Sequence, residues 1–181
     1  MKDGNIFRYD RVLLILLCAI GVFALLTAWV LEHILGLAPC DLCLMERWPY
    51  RVIIILGIIG FFLPAKKRSW IMLAAGAVMT VNVGLALLHT GIEQNWWPSP
   101  LTACQAPVFK EGSIAERLAS MPTRPVKPCD APDYILPGLP ISVTLADLLL
   151  SVGVCLFGFI SGLFLRKHYH SFRWGGNRKE P

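Results

Sequence analysis

The sequence predicts an all-α, polytopic membrane protein: a bundle of four transmembrane helices with two segments on its outer face. Three observations carry this. Of 181 residues, 55% are hydrophobic and only 16% charged, with mean hydropathy +0.58, whereas soluble domains carry about 25% charged residues. The apolar residues fall in blocks, and a bilayer core about 30 Å thick needs roughly 20 residues of helix to cross it. The basic residues gather between those blocks in a one-sided pattern.

Val12–Leu31 gives 20 residues without a formal charge and is the first span. The basic start before it resembles a secretion signal, but the apolar core of such a signal runs only about 7–15 residues, so the helix is read as retained. Leu37-Ala38-Pro39-Cys40 faintly resembles a lipoprotein cleavage site, and proline directly before the cysteine fits that processing poorly. The second span, about 44–63, carries Glu46, Arg47 and Arg51 in its first half. Trp70–Leu88 is the third span. Ile141–Leu165 is the fourth, with one acid, Asp147, near its outer end, where an interfacial carboxylate costs little. Residues 1–181 read as one membrane domain: spans at about 12–31, 44–63, 70–88 and 141–165, outward loops at about 32–48 and 91–140, and a C-terminal tail at 166–181.

The formal net charge of +5 invites a nucleic-acid reading, and position argues against it. Lys2, Arg8, Arg11, Lys66, Lys67, Arg68, Arg166, Lys167, Arg173, Arg178 and Lys179 all fall on one side if four spans alternate. Those 11 of 17 Lys and Arg leave six on the other side. Short basic segments stay cytoplasmic, so both termini are expected inside.

The longer outward segment, 91–140, holds nine of the 13 prolines, which forbids long regular elements. Trp96 and Trp97 stand at its entrance, where amphipathic rings prefer the headgroup layer. Ser113 with Glu116 three residues on forms a capping box, and Ile114, Leu118 and Met121 follow at helical spacing. A short amphipathic helix on the outer membrane surface is expected there.

The six cysteines carry the functional signal. Cys18 and Cys155 lie inside spans one and four among aliphatic residues, where a free cysteine behaves as a small hydrophobe. Cys40, Cys43, Cys104 and Cys129 all fall in the outward segments, where an oxidising compartment lets disulfides persist. Four cysteines allow three pairings. Cys40-Asp41-Leu42-Cys43 is a C-x-x-C at the start of span two, poor as a staple because its loop is short and apt as a redox site. Arg47 lies four residues beyond Cys43, on the same helical face. The helix N-terminus and the guanidinium both favour a Cys43 thiolate, which Glu46 and Asp41 partly oppose. Zinc is the competing use of such a quartet, but structural sites prefer two tightly spaced pairs. Cys104 and Cys129 are 24 residues apart in loop content and have no histidine in their segment. No metal is therefore expected. Electrons entering from outside need an acceptor in the membrane; no haem or iron–sulfur spacing is visible, which leaves a lipid-soluble quinone.

The pattern resembles the disulfide bond formation protein B (DsbB) family. Four spans, Pro39-Cys40-x-x-Cys43 followed by Glu46-Arg47, His89-Thr90 closing span three, Pro98-Ser99-Pro100-x-x-x-Cys104, and Cys129-Asp130 before span four carry the likeness, from about Val12 to Leu165. It implies a quinone-dependent thiol oxidase of the bacterial inner membrane. Cys104 and Cys129 would be the pair that takes electrons from a periplasmic DsbA-like thioredoxin-fold protein, with Cys104 forming the mixed disulfide. Cys40 and Cys43 would be coupled to ubiquinone or menaquinone, with Cys43 as the thiolate at the ring, Arg47 holding the quinone and His89 near the same pocket. A quinone-linked enzyme of the vitamin K epoxide reductase type carries its redox C-x-x-C at its last spans, whereas here it precedes span two. A non-catalytic protein with bracing disulfides would have no use for Arg47 four residues after Cys43.

Overall fold

A computed structural model of the chain describes residues 3–101, 104, 113–119, 127–134 and 141–176. It is helical, with α1 at Asp3–His33, α2 at Asp41–Phe62, α3 at Ala65–Glu93, a short α4 at Ile114–Ala119 and α5 at Val143–Gly176. No strand occurs among the described residues; Tyr134 and Ser142 form one isolated bridge. Each long helix is longer than the apolar block that predicts it, and α5 continues well into the tail expected after 165.

Three of the helices are long and apolar enough to cross a membrane: α1 over Tyr9–His33, α3 over Ala65–Glu93 and α5 over Val143–Tyr169. The second predicted span is less clear-cut. The helix α2 has 22 residues but includes Asp41, Glu46, Arg47 and Arg51, so its uninterrupted apolar run begins only at Val52. Apolar side chains face outward around the bundle, including Phe23, Ile58, Trp70, Val81 and Ile160. So broad an exposed apolar surface suits lipid rather than water.

Short links reverse the chain from α1 to α2 and from α2 to α3. Beyond α1, Gly36 takes φ +66°, a conformation glycine adopts without cost, and Leu37 N–H bonds back to Leu31 O at 3.0 Å. Leu63 and Pro64 turn α2 into α3, with Lys67 N–H bonded to Pro64 O at 2.8 Å. The core between helices is built from Leu14, Leu17, Tyr50, Ile53, Met72, Met79 and Val154. The closest helix contact is α3 on α5: a Cβ added at Gly158 would lie 2.8 Å from Gly76 N and 2.9 Å from its Cα. Small residues at such crossings let backbones approach and gain dispersion where lipid offers no hydrophobic driving force.

Polar groups close the bundle at both ends. At one end Arg68 pairs with Asp10 at 2.8 Å, and Tyr169 donates to the same carboxylate at 2.9 Å. At the other, Glu93 of α3 accepts from Thr144 of α5, and Ser142 caps α5 by accepting from Leu145 N–H at 3.2 Å. The four outward-segment cysteines lie at this second end.

The expected capping box is formed. Glu116 Oε2 accepts from Ser113 N–H at 2.9 Å, and Ser113 Oγ accepts from Glu116 N–H at 3.4 Å. The helix it starts is six residues long and Ile114 is exposed. Met121 of the predicted apolar stripe lies outside the described residues, as does the side chain of Leu118.

Candidate functional site

The start of α2 is made by Cys40. As N-cap it holds extended backbone (φ −78°, ψ 166°), and its sulfur accepts from Cys43 N–H at 3.1 Å. The C-x-x-C therefore occupies the first turn, where unpaired N–H groups and the helix dipole favour negative charge. Cys40 and Cys43 form a disulfide, with Cα atoms 5.1 Å apart. A second disulfide joins Cys104 to Cys129, with Cα atoms 4.9 Å apart, and Cys129 N–H bonds Cys104 O at 3.1 Å. Of the three possible pairings, this is the one the fold adopts. Cys18 and Cys155 stay free within the helices.

The two disulfides are neighbours. Sulfurs of Cys40 and Cys129 and a ring nitrogen of His89 all lie within 4.8 Å of one another, and all three residues are buried. Leu42, Leu88, Ile92 and Leu101 pack around them and keep water away. His89, near the end of α3, reaches Cys40 Sγ with Nε2 at 3.4 Å, while its Nδ1 meets Glu46 Oε1 at 3.1 Å. Histidine is thus held between a sulfur and a carboxylate, the arrangement that orients a base beside a nucleophile. The fold also brings to Cys129 the histidine that its own segment lacks. Both sulfurs are committed to disulfides, which leaves no thiolate for a zinc ion in this state.

Beside the disulfides lies a cavity of about 830 Å³, counted with its open mouth, among α1, α2, the 127–133 segment and the start of α5. Ala24, Leu25, Ala28 and Leu31 give it an apolar wall on α1. Cys43, Glu46, Arg47, Tyr50, His89 and Asp147 give it polar points. An apolar cleft with a few convergent polar groups is the usual form of a small-molecule site.

All six residues expected at the site, Cys40, Cys43, Cys104, Cys129, Arg47 and His89, gather at this end of the bundle. Three contacts add to the simplest expectation. Arg47 shares the cavity with Cys43, but its guanidinium pairs with Glu32 of α1 at 2.8 Å. Glu46 shares the cavity with Cys43 and bonds His89 through Oε1. Asp147, read as an interfacial acid, points inward and accepts from Tyr50 at 2.8 Å. Glu32, Tyr50 and Asp147 escaped the sequence reading as site residues. The available signal was a charge inside or beside an apolar span, which is costly unless matched.

The family described as disulfide bond formation protein DsbB matches residues 10–161 of the chain. An uncharacterised protein of Rickettsia prowazekii (strain Madrid E) is 28% identical over 164 residues, covering 89% of this chain and 92% of that protein. Disulfide bond formation protein B of Dechloromonas aromatica (strain RCB) is 35% identical over 88 residues, 49% of this chain and 50% of the relative. Its counterpart in Vibrio cholerae (serotype O1) is 34% identical over 100 residues, 54% of this chain and 57% of the relative. The chain thus spans about half the length of these two named relatives. No solved structure matches it significantly.

Proposed function

Because this chain belongs to the DsbB family, a family of disulfide formation, we propose that it is a quinone-dependent thiol oxidase of the bacterial inner membrane. It oxidises a periplasmic DsbA-like thioredoxin-fold dithiol and passes the electrons to ubiquinone or menaquinone. On this reading α2 also crosses the membrane, which makes four spans, both termini are cytoplasmic and the cysteine end faces the periplasm. Support for α2 comes from its internally matched charges, Glu46 on His89 and Arg47 on Glu32. Arg51 lies over the Trp48 ring, 5.0 Å from its centroid.

The observation that carries the proposal is the approach of two separate disulfides, with Cys40 and Cys129 sulfurs within 4.8 Å. A thiolate attacks a disulfide sulfur and expels the other as a thiolate. Cys104 is buried, so partner docking has to uncover it. Attack there by the partner's thiolate joins the two proteins and frees Cys129. The partner's second thiol then releases its oxidised form and leaves Cys104 reduced. Cys129, as thiolate, is placed to attack Cys40, joining the two segments and expelling Cys43. That thiolate emerges on the first turn of α2 and at the cavity wall, where helix N-terminus and Arg47 both favour it. His89 can take or give the proton at Cys40 Sγ. Cys104 then returns to Cys129, frees Cys40, and restores the second disulfide.

The cavity suits a quinone: apolar walls for the ring and tail, Arg47 as a donor for a carbonyl oxygen, and His89 on the wall beside the disulfide. When bound, the quinone accepts the two electrons that restore the Cys40–Cys43 disulfide. The test uses the double variant Cys43→Ser with Cys104→Ser, which removes both thiols that could reopen the intermediate and should store a Cys40–Cys129 cross-link after mild oxidation. Non-reducing digestion and mass spectrometry of the purified protein read it directly. Recovery of Cys40 and Cys129 as free thiols would overturn the exchange route.

A further inference from the structure

Four carboxylates line the cavity, and three of them have cationic or histidine partners. Glu32 is paired with Arg47, Glu46 with His89 and Asp133 with Lys127. Asp147 differs. Its Oδ1 accepts from Tyr50 OH at 2.8 Å and its Oδ2 lies 3.5 Å from Ser151 Oγ, and no ion pair reaches it among the described residues. Ser151 is itself 3.1 Å from Tyr50 OH and accepts from Asn82 Nδ2 at 2.7 Å. Tyr50, Ser151 and Asn82 are buried, and they come from α2, α5 and α3. Three helices therefore spend polar contacts inside an apolar bundle to orient one carboxyl group at the cavity wall. Structural economy does not require it, since a buried polar network costs more than apolar packing unless every member is satisfied.

Restoring the Cys40–Cys43 disulfide takes two electrons and two protons from two thiols, and turning a quinone into its hydroquinone takes up two of each. The electrons have a path through Cys43. The protons need a donor at the ring oxygens, and Arg47 cannot serve because a guanidinium does not give up its proton at working pH. His89 is engaged at Cys40 and Glu46. We propose that Asp147, oriented by Tyr50 and Ser151, donates a proton to a carbonyl oxygen of the quinone as Cys43 delivers electrons to the ring. Water at the cavity mouth protonates the second ring oxygen and returns a proton to Asp147, matching the two shed by the thiols. Asp147 is the catalytic acid, and Tyr50 and Ser151 are positioning residues. This rests on the quinone reading above.

The experiment compares full-length wild type with Asp147→Asn, Asp147→Glu and Tyr50→Phe in detergent, using ubiquinone-1 as acceptor and a reduced thioredoxin-fold dithiol as donor. Three quantities are read: ubiquinone-1 affinity by tryptophan fluorescence, dithiol exchange with Cys104–Cys129 in quinone-free protein, and kcat for ubiquinone-1 reduction with its solvent isotope effect. General acids supply about 10²–10⁴-fold, so Asp147→Asn should lower kcat roughly 100-fold. Affinity and thiol exchange should hold, the isotope effect should rise, and Asp147→Glu should recover most of the rate. Tyr50→Phe should fall between. An unchanged kcat in Asp147→Asn overturns the proposal alone, and so does an equal loss of affinity, exchange and rate, which marks a purely structural side chain. Failure of the wild type to reduce ubiquinone-1 or ubiquinone's menaquinone analogue, with thiol exchange intact, overturns the quinone reading and this proposal with it.

Discussion

Charge is buried at both ends of the helix bundle, but in different ways. At the α1 start, Asp10 and Arg68 are almost fully enclosed, and Arg68 also donates to the backbone carbonyls of Gly60 and Leu63. This cluster ties α1, the α2–α3 link and α5, and the cavity at the cysteine end does not reach it. At the cysteine end, Arg47–Glu32 and Glu46–His89 are also paired, yet they line an open cleft next to two disulfides. The difference separates two uses of the same side chains. A charge pair packed shut can only hold helices together, whereas one at a cavity wall remains available to a ligand. Counting charges in spans would rank both ends alike; the adjoining space tells them apart.

The sharpest way to break this comparison is at the disulfides. Replacing Cys40, Cys43, Cys104 or Cys129 singly with Ser should abolish quinone-linked oxidation while leaving a folded helical protein, checked by dithiol consumption and circular dichroism. Full turnover in any of the four variants would detach that disulfide from the chemistry. Next in size is the closed end. Asp10→Ala leaves Arg68 buried without its carboxylate partner, a change that costs about 3–5 kcal/mol. Thermal unfolding in detergent should show the loss, and turnover per folded molecule should stay at the wild-type level. A selective loss of turnover instead would mean that the two ends are coupled.

A smaller effect is expected at Arg47, where the pair meets the cavity. Hydrogen bonds to charged groups contribute about 1.5–3 kcal/mol, so Arg47→Gln should raise KM for ubiquinone-1 roughly tenfold or more. Arg47→Lys keeps the charge but loses the planar fork and should lie between. Equal KM values in all three proteins would reduce Arg47 to a partner of Glu32. The smallest effect belongs to the half-buried free sulfurs between helices. Cys18 packs against Gly57, and Cys155 lies 3.6 Å from Gly76 O. Alanine at either position should cost about 1 kcal/mol of packing with turnover retained, and loss of turnover in folded Cys155→Ala would contradict its place outside the redox site.

The features readable from sequence are the ones set within a few residues or by total apolar length. The Ser113–Glu116 capping box is local, and it forms as written. Apolar blocks long enough for a bilayer become helices, since backbone groups in lipid must bond within their own segment. The C-x-x-C before α2 is likewise a local pattern, and Cys40 closes the helix start with its own sulfur. Its proximity to Cys129, 89 positions away, is not. Nor is the choice of partner for each charged residue: the i,i+4 spacing puts Arg47 on the face of Cys43, but α1 supplies the carboxylate it binds. Helical periodicity likewise places Asp147 on a face of α5 without saying which neighbour that face meets.

Taken by itself, the amino-acid order determined the helical class, the membrane-like lengths, the placing of four cysteines between the apolar blocks and the family resemblance. Tertiary structure alone decided that Cys40 sits beside Cys129, that His89 bridges Cys40 to Glu46, and that Asp147 turns to Tyr50. The physical reason is geometric. Helix formation depends on bonds between residues four apart, so it is legible along the chain. Contacts between helices depend on how each rotates and how closely its backbone approaches a neighbour, here through the Gly76–Gly158 contact of α3 and α5. Those rotations minimise the energy of all the packed faces together, and no single segment contains them.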